Sequence, residues 1–327
     1  MAARPFPSYR LGMFSNVVVG VNGREGGRDA AALAAALATP GAHATFARVH
    51  TSDLEPVPDS ADGFGPPDRR LAASQVEAEL RIWTGPAEGR VISAPSVGEG
   101  LERLAARRQA DLIVIGACER GPLGRVLVGD DAASVLHHAQ RAVALASKRY
   151  ATTPHSIRRV GVAYDGSSPS DAAFRAAERL AHGRGASLVA RCVVTPHVYA
   201  TGVAAGAGYM EDPEDLIERT RAALGERRER VEIVVGPVGQ ELVNFSQTVD
   251  LLVCGSRHNR LLRRVTLGST SGYLARHSGA PLVICGPAAQ PEPSANQSAP
   301  TRGAYKEETA PPPLRGGGAA GAPGPAW

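Results

Sequence analysis

Residues 111–116 read Asp-Leu-Ile-Val-Ile-Gly, and residues 250–255 read Asp-Leu-Leu-Val-Cys-Gly, the same pattern displaced by 139 positions. Four apolar residues closed by a glycine describe a short strand that stops where the backbone must turn. The apolar residues run on without alternation, which suits a parallel strand buried on both faces. Working outward, Asn16-Val-Val-Val-Gly-Val-Asn22-Gly23 matches Arg159-Val-Gly-Val-Ala-Tyr-Asp165-Gly166 at an offset of 143. Val128-Gly129 and Leu267-Gly268 keep the offset of 139, as do the closing runs Ala142–Ala146 and Pro281–Cys285. The chain is therefore a tandem repeat, with copies at 1–150 and 151–286 joined near Tyr150–His155.

In the second copy the runs Val160–Tyr164, Ser187–Val194, Val231–Val235, Leu251–Cys254 and Leu282–Cys285 read as strands. Between them, Ser170–His182, Glu214–Arg227, Gln240–Thr248 and Ser269–His277 carry apolar residues at helical spacing. The order βαβαβαβαβ predicts an α/β fold, a doubly wound parallel sheet of five strands with right-handed crossovers. Ligands of such sheets bind beyond the carboxyl ends of the strands, where the strand order reverses. That directs attention to the loops after the first and fourth strands. Two longer loops, Ser52–Pro67 and Pro196–Pro213, read either as lids or as simple connections.

Composition bounds the rest. The 327 residues have room for two domains, and 43% hydrophobic content is enough to fill their cores. Lys and Arg number 36 against 32 Asp and Glu, a balance that argues against a general nucleic-acid binder. No apolar run is long enough for a membrane span, and Met1–Ser15 lacks the apolar stretch of a secretory signal, so the expected compartment is the cytosol. Cys118, Cys192, Cys254 and Cys285 form no CxxC pair, and neither a disulfide framework nor a zinc site is indicated. The only lysines, Lys148 and Lys306, do not follow glycine, which excludes a Walker A loop. Residues 287–327 hold 9 Pro and 6 Gly and read as a disordered tail.

After the fourth strand of the second copy comes a loop from Gly255 to Ser271. It carries Arg257, Arg260, Arg263 and Arg264 with no acidic residue. Gly268-Ser269 opens a helix, with Gly279 and Pro281 beyond its end. The unpaired N–H groups and partial positive charge of a helix N-terminus seat phosphate, and Ser269, Thr270 and Ser271 add hydroxyls. The plainer alternative is a capped helix after a solvated basic loop.

These residues together resemble a tandem universal stress protein over positions 16–286. That family carries an aspartate at the end of its first strand and G-x2-G-x9-G-[S/T] after its fourth. The second copy presents Asp165, Gly255 and Gly268-Ser269 at those positions, with His258 in place of the middle glycine. The resemblance implies flavodoxin-like domains that bind ATP or AMP, with Mg²⁺ as an optional companion. It implies that Asp165 contacts the adenosine end while Gly268, Ser269, Thr270 and Ser271 hold phosphates. It also implies an intramolecular pseudo-dimer through the last strands, and it allows a homodimer of such chains.

The first copy departs further, with Asn22 at the aspartate position, Glu119 at the middle position and Gly121 two residues later. Its closing pair is Gly129-Asp130. Asp130 would serve as an N-cap worth about 1 kcal/mol. Facing a phosphate at about 4 Å, it would instead cost about 4 kcal/mol at an effective dielectric of about 20. The expectation is that the first copy does not hold ATP through this loop unless a metal bridges the charges.

Other signals lead nowhere. Gly268-Ser-Thr270-Ser-Gly272 outlines a nucleophile elbow but places Thr at its centre. The paired His137-His138 lacks metal-ligand spacing, and the one G-x-G-x-x-G, Gly316–Gly321, follows no strand. Three functions remain. The first is a stress-response regulator binding adenine nucleotide in its second copy and signalling to a protein partner. The second is an interaction scaffold that binds no nucleotide, and the third is a slow ATPase with His258 as its only candidate base.

Overall fold

A computed structural model describes residues 14–51, 66–117, 129–153, 156–196, 198–200, 208–210, 212–224, 230–258, 265–266 and 268–286. The described residues all fall within one compact unit. The predicted tail lies outside the described residues.

The first domain runs β1 (Phe14–Gly20), α1 (Glu25–Leu37), β2 (Ala38–Thr51), α2 (Pro66–Leu80), β3 (Ala87–Ala94), α3 (Val97–Arg107), β4 (Leu112–Gly116), α4 (Asp130–His138) and β5 (Ala142–Ala146). A short 3-10 turn at Tyr150–Thr152 leads into the second domain. That domain runs β6 (Arg159–Ala163), α5 (Ser168–His182), β7 (Ser187–Val194), β8 (Val198–Ala200), β9 (Gly208–Met210), α6 (Pro213–Ala223), β10 (Val231–Val235), α7 (Val238–Ser246) and β11 (Leu251–Gly255). It closes with β12 (Arg257–His258), β13 (Val265–Thr266), α8 (Ser269–His277) and β14 (Leu282–Cys285).

All the long strands belong to a single ten-stranded sheet in the order β10-β7-β6-β11-β14-β5-β4-β1-β2-β3. Each half is parallel within itself. They meet antiparallel at β14 and β5, where Leu282, Val283 and Ile284 stand opposite Leu145, Ala144 and Val143. The order reverses between β1 and β4 in the first half and between β6 and β11 in the second, which places both switch points after the predicted strands.

Two-sided burial explains the unbroken apolar runs. Val17 and Val19 enter the cluster under α1, α2 and α5, while Val18 enters the cluster under α3, α4, α7 and α8. Leu251 and Val253 divide from Leu252 and Cys254 in the same way. The aspartate that opens each hexapeptide is a structural tie. Asp111 accepts from the Ser15 amide at 2.8 Å, and Asp250 accepts from the amides of Arg158 and Arg159 at 2.8 Å each, fixing the starts of β1 and β6.

The loop read as Pro196–Pro213 contains a small antiparallel ribbon, with Val198, Tyr199 and Ala200 opposite Met210, Tyr209 and Gly208. Its tip, 201–207, lies outside the described residues. In the first domain Ser52–Gly65 lies outside them as well, and α2 begins at Pro66.

Candidate functional site

The turn after the first strand is built alike in both domains. The Asp165 carboxylate accepts from the Ser167 amide at 3.0 Å and from its hydroxyl, and Asn22 Oδ1 accepts from the Arg24 amide at 3.0 Å. Both are local turns of an Asx residue onto its own backbone two positions on. The next residue takes a left-handed conformation, φ 73° at Gly23 and 77° at Gly166, which glycine adopts without strain. Asp165 is exposed, as a contact to a ligand requires.

The glycine that ends the fourth strand serves packing. A Cβ on Gly255 would stand 2.6 Å from the carbonyl of Pro169 in the first turn of α5. A Cβ on Gly116 would collide with the Gly26 carbonyl in the first turn of α1. The group that approaches the backbone there is the start of a helix, so these glycines bring each switch point close to a helix N-terminus.

The basic loop of the second domain forms a hairpin, with Arg257 opposite Thr266 and His258 opposite Val265. Its β13 strand lies against α4 of the first domain, across the seam. Arg260, Arg263 and Arg264 lie outside the described residues, as do Glu119 and Gly121. The helix beyond is capped by Gly268 in extended backbone, and its first turn carries Ser269, Thr270 and Ser271 with no acid. Ser269 is exposed, Thr270 half-buried and Ser271 buried, its hydroxyl turned back to the Gly268 carbonyl at 3.4 Å. The structure thus brings Gly255 and Gly268–Ser271 to the same end of the sheet as Asp165, beyond the paired strands β6 and β11.

The first domain differs at that helix. Its cap is Gly129 and not Asp130, which becomes the first helical residue beside Asp131. The N-cap must hold an extended backbone, and here glycine supplies it, so both carboxylates fall inside the first turn. They border a cavity of about 520 Å³ over the ends of β1, β2 and β4. Val49, Val97, Leu101 and Val135 form its apolar wall, and Asn22 and Arg48 stand at its far rim. The domain the sequence ranks second thus holds a cavity at its switch point. The position of Ala47 beside it is Arg191 in the second domain, since each accepts from the residue just after the first strand. Arg191 lies 4.5 Å over the Phe245 ring and pairs with Glu232 at 2.8 Å.

Three polar features escaped the sequence. Glu79 of α2 is 2% exposed and sits behind the β1–α1 turn. Its carboxylate presses on Gly27 and accepts from the Gly23 amide, while Oε2 finds no partner among the described residues. Burial pushes its pKa up to about 7 against the pull of that amide and of Arg28 and Arg48. One turn earlier, Gln75 bonds Arg48, which also donates to the Asn22 carbonyl at 3.2 Å. Second, Glu102 and Arg141 pair at 2.8 Å, both side chains nearly buried, tying α3 to the start of β5. Third, Asp29, buried in α1, accepts from the amides of Arg149 and Ala151 at 2.8 Å each and grips the connection between domains.

Comparison with known proteins agrees with this architecture. A universal stress protein of Mycobacterium tuberculosis (strain H37Rv) is 26% identical over 235 residues, covering 66% of this chain and 79% of its own length. Among solved structures, a functionally unknown protein of Pseudomonas aeruginosa PAO1 superposes at TM-score 0.59 and 14% identity over 84% of this chain and 93% of its own. A universal stress protein of Archaeoglobus fulgidus gives TM-score 0.51 and 18% identity over 83% and 96%. At those identities the structures speak for the fold alone. The model of the universal stress protein family matches twice, at residues 13–146 and 156–286, and with both domains accounted for the chain belongs to that family.

Proposed function

We propose that the chain is a stress-response regulator whose second domain binds an adenine nucleotide, ATP or AMP, and presents the bound state to a protein partner. One observation carries this reading. On two scaffolds of the same topology, the first turn of α8 offers amides and hydroxyls with no acid, while the matching turn of α4 holds Asp130 and Asp131. A helix N-terminus without a carboxylate favours phosphate. Asp165 would meet the adenosine end, with Gly268, Ser269 and Thr270 at the phosphates and His258 on the hairpin between. No group of three His, Cys, Asp or Glu that could hold a metal stands together among the described residues, so Mg²⁺ would arrive with the phosphates. No helix described is long and apolar enough to cross a membrane.

Calorimetric titration of ATP into the intact chain tests this. Gly268→Glu and Asp165→Ala should each weaken binding at least tenfold, and a fall of less than threefold for both refutes the assignment. The scaffold reading draws support from Gly255, whose lack of a side chain is accounted for by Pro169 without any ligand. Nucleotide released on heating the purified protein and detected by mass spectrometry would count against it.

A further inference from the structure

We infer that the outer edge of the second domain, strand β10 with helix α6 above it, is a two-fold interface that joins this chain to a second copy of itself. The β5–β14 seam is closed within the chain, so the ten-stranded sheet ends at β3 and at β10. An edge strand presents a row of N–H and C=O groups on which another strand can pair, unless charge blocks it. β3 is guarded in that way, carrying Glu88 and Arg90 paired at 2.8 Å. β10 reads Val-Glu-Ile-Val-Val, and its one charge, Glu232, is drawn back onto Arg191 of β7 at 2.8 Å. The Gly236 amide donates to the Val194 carbonyl at 2.9 Å. Backbone alternation from there turns the N–H and C=O groups of Val231, Ile233 and Val235 away from β7. These positions are symmetric about Ile233. An antiparallel copy centred there sets Ile233 against Ile233, Val231 against Val235 and Glu232 against Val234, so no like charges meet.

The helix above the strand fits the same symmetry. α6 lies on β10 and β7 yet has no buried residue, whereas α2, its counterpart over β3, buries Ala72, Val76 and Glu79. Its charges divide by end, with Glu214, Asp215 and Glu218 in the first half and Arg219 and Arg221 in the second, all exposed. A two-fold axis through Ile233, normal to the sheet, brings a second α6 alongside and running the opposite way. Each acidic half then faces the partner's basic half. Strand and helix are both self-complementary under one axis, as an interface between identical chains requires, and this favours a second copy over an unrelated strand.

Sedimentation velocity of the full-length chain without nucleotide, over a concentration series up to about 100 μM, tests this. A reversible dimer is expected. Val234→Glu sets a carboxylate opposite Glu232 at two symmetric places and should weaken the dimer at least tenfold. Val234→Lys makes the same demand on that half-buried position but sets an opposite charge there, and should leave the dimer as tight or tighter. Reversing the α6 charges separates interface from fold in the same way. One chain carrying Glu214→Arg with Glu218→Arg, and another carrying Arg219→Glu with Arg221→Glu, should each self-associate at least tenfold more weakly. Their mixture should recover a one-to-one heterodimer. A chain that stays monomeric throughout the series overturns the inference. So does a dimer that tolerates Val234→Glu, one that Val234→Lys disrupts equally, or a pair of α6 variants that fail to recover each other.

Discussion

Replacing Glu79 by Gln should stabilise the first domain at alkaline pH and do little at acid pH. In the folded chain the carboxyl holds its proton up to about 7, against an ordinary value of 4.5, because burial outweighs the Gly23 amide, Arg28 and Arg48. A group whose pKa rises on folding contributes stability that is complete below its unfolded value and lost as pH climbs through the folded one. At about 1.4 kcal/mol for each pH unit, the loss between pH 4.5 and about 7 comes to about 3.4 kcal/mol. Glutamine keeps an oxygen for the Gly23 amide and removes the titration, so the variant should show none of that slope.

Trp83 provides the readout. It packs edge-on to Phe46 at 6.3 Å, close to α2, and in a Trp327→Phe background it is the sole tryptophan. Urea unfolding followed by its fluorescence at pH 5, 6, 7 and 8 gives the stability difference between the parent chain and Glu79→Gln. The advantage of the glutamine variant should grow by about 2–3 kcal/mol from pH 5 to pH 8, somewhat less than the full linkage because part of the window lies below pH 5. A difference that changes by less than about 1 kcal/mol across that range would refute the placement of a proton on Glu79.

The polar ties yield two further outcomes. Glu102→Ala strands Arg141 in a nearly buried site and should cost about 3–5 kcal/mol in thermal or chemical denaturation, whereas replacing both partners with leucine should cost much less. Equal losses for the single and double variants would show that the pair does not act as a unit. Asp29→Ala frees the amides of Arg149 and Ala151, so trypsin should cut after Lys148 or Arg149 at least tenfold faster at unchanged global stability. An unchanged cleavage rate would mean that something else holds the connection.

Much of this architecture could be read directly because it depends on contiguous residues. Val17, Val18 and Val19 alternate between two buried faces, and a strand apolar on both sides leaves an uninterrupted run in the chain. Ser187–Val194, Val231–Val235, Leu282–Cys285 and Ser269–His277 match the observed elements residue for residue. What resisted reading depends on distant pairs or on backbone angles. Gly129 and Gly268 cap their helices because they are extended, a property invisible in a Gly-Asp or Gly-Ser pair. Glu79 looks like any surface helix glutamate until α2 is packed behind the β1–α1 turn. Asp29 reaches residues 120 and 122 positions away. The cavity arises where Val49, Val97 and Val135 from three elements converge, so no motif announces it.

The antiparallel seam between β5 and β14 has a consequence for how the two sites can diverge. Reversing direction at the seam points the carboxyl ends of one half away from those of the other, so the two switch points open at opposite ends of the sheet. In a homodimer joined along the same seam, every substitution would appear at both ends, and a pair such as Asp130 and Asp131 would alter both sites together. Joining the halves in one chain removes that constraint, because each end can be changed while the other stays fixed. Ser269 and Asp130 occupy equivalent places, and only a fused chain can hold both at fixed stoichiometry in every molecule.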